Sequence, residues 1–371
     1  MTRALHYCDY NAGAPVRAEA AVALARALAM GGNPSSVHTP GRRARAAIED
    51  ARESIAATLD AAAENVVFTS GATEALHLAL SIAGAASIVV SAVEHDALHE
   101  QALRLGALVA PVSANGLIDL DALDALVAAA PKPALVAVQA ANNETGVVHP
   151  IAAVARLCRE HGASLLVDAA QAFGRMALSI ADLDATYLVV SSHKIGGPPG
   201  AGALVLAPGA PFVTTRFGGG QERGRRPGTE NMPAIVGFRV AADMALSAMV
   251  RETAHAAALR DRFEAGLPQD AVIFGAEVQR LPNTSNFALP GMISETAVIA
   301  MDLEGVAVSS GAACSSGKVR ASRVLTAMGQ SALARSALRV SFGWDSQDAD
   351  VDAALAALGK ISARRVLEGA A

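Results

Sequence analysis

The apolar positions of the central stretch fall into short continuous runs, separated by segments in which they recur every three or four residues. Val66-Val67-Phe68-Thr69 leads into a helix-spaced run over 74–81, and the apolar run 87–91 leads into another over 96–105. The run 134–139 comes before a helical stretch at 151–161, and 164–167 and 187–191 are two further strand candidates. These strand candidates are apolar throughout instead of alternating, the pattern of strands covered on both faces. Repeated strand–helix units of this kind predict an α/β fold with a mostly parallel central sheet and helices on both faces.

Helix expectations rest on period and punctuation. Across 41–59, Ala44, Ile48, Ala51, Ile55 and Leu59 share one apolar face. The helix at 151 starts directly after Pro150 and stops at Gly162, residue types that favour a start and a stop. From about residue 249 the pattern changes. A helix-like stretch at 251–266 leads to short strands near Val272, Asn286 and Val306, and a last helix runs from Asp348 towards Ile361. The expected division is a large α/β domain over 15–250 and a smaller α+β domain built from 1–14 and 251–371.

Composition narrows the classes of function. Charged residues make up 18% of the 371 and apolar residues 52%; the charged share lies below the roughly 25% of typical soluble proteins. Two readings of that excess stay open: an alanine-rich background, or surface buried against a second subunit. The net charge of −5 argues against nucleic acid or an anionic membrane as the main partner. Residues 1–10 lack the charged stretch and apolar run of a leader, and no apolar run reaches the roughly 18 residues needed to span a membrane. Cys8, Cys158 and Cys314 are too few and too scattered for a disulfide framework or a zinc site, so no metal centre is expected. A cytoplasmic protein is the expectation.

Candidate chemistry gathers where apolar strands end, the place at which open α/β sheets bind ligands. Phe68-Thr69-Ser70-Gly71-Ala72-Thr73-Glu74 takes a strand through a small-residue turn into a helix. The free N–H groups of such a helix start make a phosphate cradle, and an ordinary Ser-capped turn fits the same residues. Asp168 follows the run Leu165-Leu166-Val167, where a carboxylate is partly desolvated unless a cation meets it. Helix capping explains it blandly; a pyridinium nitrogen explains it sharply. Lys194, in Ser191-Ser192-His193-Lys194, sits between an apolar strand and the Gly/Pro stretch 196–202, and an amine in such a pocket can form a Schiff base. A cradle, a strand-end Asp and a strand-end Lys are together the parts that pyridoxal phosphate needs. Cys158 lies among apolar neighbours, whereas Cys314 lies in Ser309-Ser310-Gly311-Ala312-Ala313-Cys314-Ser315-Ser316-Gly317-Lys318, with Arg320 nearby. That electropositive, small-residue setting favours a reactive thiolate.

These stretches resemble the cysteine desulfurase family, a branch of the class V, fold-type I pyridoxal-phosphate enzymes. The resemblance also takes in Asp9-Tyr10-Asn11-Ala12, Glu94-His95, Asn142-Asn143-Glu144-Thr145-Gly146, Arg226-Pro227-Gly228-Thr229-Glu230-Asn231 and Leu338-Arg339-Val340-Ser341. It implies a fold-type I transferase that takes sulfur from L-cysteine, releases L-alanine and parks the sulfur on Cys314 as a persulfide. Lys194 would bind the cofactor aldehyde and act as base. Asp168 would keep the pyridine nitrogen protonated, and His95 would stack on the ring and shuttle protons. Gln171 and Asn143 would contact the ring or its phenolic oxygen. Ala72 belongs to the phosphate turn, Thr73, Ser191 and His193 would bind the phosphate, and Thr229 would reach it from the other subunit of a homodimer. Arg339, with Asn143, would take the substrate carboxylate.

The Ser-Ser-Gly before Cys314, and the nine or so residues between Cys314 and Val324-Leu325, resemble the long-catalytic-loop subgroup of iron–sulfur cluster assembly. The implied sulfur acceptor is a protein such as an iron–sulfur scaffold. Gly13-Ala14 stands where Thr-Thr is common, and Gln221 where some members have His; both departures touch the pocket or the partner, not the reaction. A selenocysteine lyase would keep Lys194 and Asp168 in the same roles and stays open. A class V aminotransferase would have no use for the loop cysteine. A non-catalytic descendant would have lost Lys194, Asp168 or Cys314, and all three are present.

Overall fold

The computed structural model describes residues 5–310 and 321–369. The chain opens with β1 (His6–Tyr7) and two helices, α1 (Ala18–Met30) and α2 (Thr39–Ala57). The apolar face foreseen for α2 is the face it buries: Ala44, Ile48, Ala51 and Ile55 are all in the core. Pro40 stands in its first turn, and the His38 side chain accepts the Gly41 N–H at 3.3 Å, which together fix where the helix begins.

β2 (Val66–Thr69) and α3 (Ala72–Ile82) follow, then β3 (Ser87–Ser91), α4 (Asp96–Arg104), β4 (Leu108–Ala110) and α5 (Leu120–Ala129). After β5 (Ala134–Gln139) come α6 (Ile151–Glu160), β6 (Ser164–Asp168), β7 (Tyr187–Ser191) and β8 (Gly202–Leu206). These seven strands form one sheet in the order β2-β8-β7-β6-β5-β3-β4. Strands β4, β3, β5, β6 and β7 are parallel, and β8 runs antiparallel between β7 and β2. The mostly parallel α/β sheet is therefore as expected, while β8 was not foreseen. Every residue of β5, β7 and β8 is buried, because helices cover both faces. One face packs against α2, α6 and α7 (Met232–Ser247), the other against α3 and α4.

The rest of the chain adds α8 (Met249–Ala265), β9 (Val272–Ile273), β10 (Thr284–Ala288), α9 (Ser294–Leu303), β11 (Val306–Ala307) and β12 (Ser309–Ser310). It ends with α10 (Arg323–Ala327), β13 (Ala337–Ser341) and α11 (Asp348–Gly369). β12, β13, β10 and β9 make an antiparallel sheet, and β1 pairs in parallel with β11. Cys8, Phe263, Phe287, Leu338 and Phe342 share one core beneath that sheet. The segment after β1 then runs along the edge of the large sheet. There the Ala14 N–H donates to His193 O at 2.9 Å and the Arg17 N–H to Gly196 O at 2.8 Å.

Candidate active site

At the carboxyl edge of the large sheet, facing β13, lies a cavity of about 340 Å3, within the range of small-molecule sites. The turn from β2 to α3 makes one wall. Gly71 holds φ +155° and ψ −179°, a conformation essentially confined to glycine. Gly202 of β8 passes so close that a Cβ there would meet the Gly71 Cα at 2.7 Å. No side chain caps α3, so the first-turn amides at Ala72 and Thr73, both on the cavity wall, form an anion cradle. Glu74 sits at its rim, accepting the Ser70 N–H at 2.6 Å and pairing with Arg216 at 2.9 Å and Arg226 at 3.0 Å. Burial alone would raise its carboxyl; Arg226 and Ser70 outweigh that and hold it down at about 2.

Opposite the cradle, three strand ends present charge. Asp168 accepts the Ala170 N–H at 2.9 Å. Burial pushes its carboxyl up, more than that hydrogen bond and the charges of His95 and Lys194 push it down, so the group gains from any further cation that reaches it. His95 caps α4: its Nδ1 accepts the Ala97 N–H at 3.1 Å, which leaves the proton of the neutral ring on Nε2. His193 is held neutral, its pKa lowered to about 4 by burial and then by Lys194 and His95. Its Nδ1 meets the Ser191 hydroxyl at 3.0 Å. Lys194 Nζ donates to the carbonyls of Asn11 at 2.6 Å and Ala12 at 2.9 Å.

Asn11 ties this edge to the second sheet. Its Nδ2 donates to Asn143 O at 3.2 Å and Thr284 Oγ1 at 2.9 Å, and its carbonyl accepts Gln171 Nε2 at 3.0 Å. Arg339, 1% exposed, comes in from β13. Its guanidinium donates to Asp9 Oδ1 at 2.7 Å and Asn143 O at 3.0 Å. Among the described residues its Nε is buried and unpartnered, a donor ready for an anion in the cavity.

Residues 6–354 match the family described as aminotransferase class-V. The cysteine desulfurase of Bradyrhizobium diazoefficiens is 39% identical over 347 residues, covering 90% of this chain and 88% of that one. An IscS-like cysteine desulfurase of Mycobacterium tuberculosis is 38% identical and covers 96% of each chain. The chain belongs to the cysteine desulfurases. Its fold agrees: a NifS-like protein from Rickettsia africae superposes with a TM-score of 0.91 at 30% identity, covering 96% of this chain and 99% of the other.

In this desulfurase, Ala72, Thr73, His95, Asn143, Asp168, Gln171, His193, Lys194 and Arg339 line the one cavity. Two expected residues do not. Ser191 is buried, meets His193 at 3.0 Å and is absent from the wall. Thr229 is exposed, on the loop before α7, and is absent from the wall. Cys314 lies outside the described residues. Asn11 and Gln139 line the cavity without having been foreseen; Asp9 and Arg175, also unforeseen, stand behind it as partners of Arg339 and Gln171. Asp9 and Asn11 stand in the quoted motif Asp9-Tyr10-Asn11-Ala12, which was the available signal for them.

Proposed function

We propose that this desulfurase uses pyridoxal phosphate to convert L-cysteine to L-alanine, with Cys314 receiving the sulfur as a persulfide. One observation carries the reading: an uncapped helix start, a desolvated carboxyl, a lysine amine and an unpartnered guanidinium N–H meet in one cavity. The donor set fits the cofactor. The α3 start, where glycine alone tolerates the backbone, suits its phosphate. Asp168, raised by burial, suits a pyridinium N–H, and Lys194 suits its aldehyde.

When bound, pyridoxal phosphate supplies an electrophilic carbon for the substrate amine and a protonated ring that draws electrons from the substrate. The protein's residues do the rest. Asp168, a buried carboxyl on the cavity wall, would hold the ring nitrogen and favour its protonated form. Arg339 takes the carboxylate of cysteine, its own orientation fixed by Asp9 and the Asn143 carbonyl. Lys194 moves the proton at the substrate α-carbon, and His95 offers a second proton from Nε2. The Cys314 thiolate attacks the substrate sulfur; the carbon–sulfur bond breaks, its electron pair stays on carbon, and the carbon takes a proton to become alanine.

The proposal extends to a homodimer in which Thr229 of one subunit serves the other, and to a cytoplasmic setting. Cys8 and Cys158 are free, as in a reducing compartment, and among the described residues no single helix is long and apolar enough to cross a membrane. Cell fractionation that recovers the protein outside the cytoplasm would contradict that setting. The proposed acceptor is a protein such as an iron–sulfur scaffold; no movement of labelled sulfur to an added scaffold would remove it. The core test is an absorbance spectrum with an alanine assay. A cofactor band and alanine formation, both lost in Lys194→Ala, are expected. No band after adding pyridoxal phosphate would overturn the reading.

A further inference from the structure

Arg175 stands between Gln171 and Lys194, and its partners set it apart. Its guanidinium donates to the Gln171 carbonyl at 3.0 Å and to the Gln171 side-chain oxygen, to Tyr10 O at 3.4 Å and to Lys194 O at 3.2 Å. All four acceptors are neutral. Arg17, Arg52, Arg280 and Arg339 each meet a carboxylate, on Glu252, Glu222, Glu264 and Asp9; Arg175 touches none among the described residues. Burial, and then the charge of Arg339, lower its pKa to about 10, so it stays protonated at neutral pH. Arg175 is half-buried; a cation partly withdrawn from water without a counter-ion is costly, and such groups persist where the charge is used.

Two consequences follow from its place. A guanidinium only donates, so the Gln171 oxygen must face Arg175. The Gln171 NH2 then faces Asn11 O at 3.0 Å and the cavity that Gln171 lines. Gln171 therefore meets a ligand as a donor. The charge itself lies against the Lys194 backbone, beside a small second cavity of about 40 Å3 that Arg175, Lys194 and Tyr10 line together. A fixed cation there disfavours a second positive charge on the Lys194 nitrogen.

We propose that Arg175 is a positioning residue for this reaction, holding the Gln171 amide as a donor towards an oxygen of the cofactor ring and supplying a fixed positive charge that opposes protonation of the Lys194 nitrogen joined to it. The inference rests on the cavity being the pyridoxal-phosphate site. The same nitrogen also feels Asp168, which favours its protonation, while His95 and Arg339 share the cavity wall and the neutral His193 adds no charge.

The test titrates the cofactor absorbance of the loaded enzyme against pH. Arg175→Met, and Arg175→Gln should the first not fold, are expected to move the midpoint upward by about one pH unit. Arg175→Lys, which keeps the charge, should stay within about a third of that shift. A residue needed only for packing would lower stability and leave the midpoint in place. An unchanged midpoint in the neutral variants, or equal shifts in the neutral and lysine variants, would overturn the inference while leaving the cofactor reading intact. No cofactor band in the parent protein would overturn both.

Discussion

Single residues here are tuned by what surrounds them, and Glu144 gives the clearest pH signature. It is buried beside Asn143 and accepts the Ser322 hydroxyl at 2.6 Å. Burial pushes its carboxyl up to about 7, against the pull of Ser322, Arg339 and Arg323. An acid raised in the folded state contributes stability that is full below its usual range near 4.5 and is lost as pH climbs through about 7. A difference of that size corresponds to roughly 3 kcal/mol. Glu144→Gln removes the titration and keeps an acceptor for Ser322. Its stability relative to the parent should therefore improve from pH 5 to pH 8 in paired thermal or urea unfolding; a pH-independent difference would show that Glu144 does not titrate there. Reading from sequence worked for residues whose chemistry sits beside a strand end, such as Asp168 and Lys194. It missed Asp9 as the partner of Arg339, because the pairing joins positions 330 apart and only the fold brings them together.

At the scale of elements, the glycine pair at the cradle decides the shape of the phosphate wall. A Cβ on Gly202 would meet Gly71 Cα at 2.7 Å, Gly71 C at 2.8 Å and Val190 O at 3.0 Å, all of them backbone. Gly202→Ala should cost about 1–3 kcal/mol and weaken pyridoxal-phosphate affinity by about tenfold, read by fluorescence titration. A variant that binds the cofactor like the parent would show that the turn has room to give. Strands β2, β3, β5 and β7 were legible to the residue, because each is a short apolar run bounded by small or polar residues. β8 was not, since Gly202 closes a Gly/Pro stretch whose composition suggests a loop, and its pairing between β7 and β2 is a tertiary fact. α3 begins at Ala72 and not at 74 because the conformation of Gly71 sets the start. α1 went unforeseen in its alanine-rich run, where a helical period leaves little contrast.

For the whole molecule, the N-terminal segment binds the parts together. β1 pairs with β11 and Cys8 joins the second core; Arg17 then reaches from the Ile195 carbonyl at 3.0 Å to Glu252 of α8 at 2.7 Å. We propose on this basis that 1–14 and 251–371 form one body and 15–250 another; first proteolytic cuts far from residue 250 would speak against it. The homodimer has its own test. Mixing inactive Lys194→Ala and Thr229→Ala proteins under subunit exchange should restore up to about a quarter of parent activity, since half the dimers are mixed and each holds one intact site. No recovery would place Thr229 in its own subunit's site, and an active Thr229→Ala homodimer would place it outside the site; either contradicts the shared site. The central claim is read most directly by mass spectrometry of the peptide containing Cys314 after a single turnover with cysteine. The expected result is a gain of one sulfur atom on Cys314, matched one to one by alanine and absent in Lys194→Ala. Alanine released while Cys314 carries no sulfur would contradict the account.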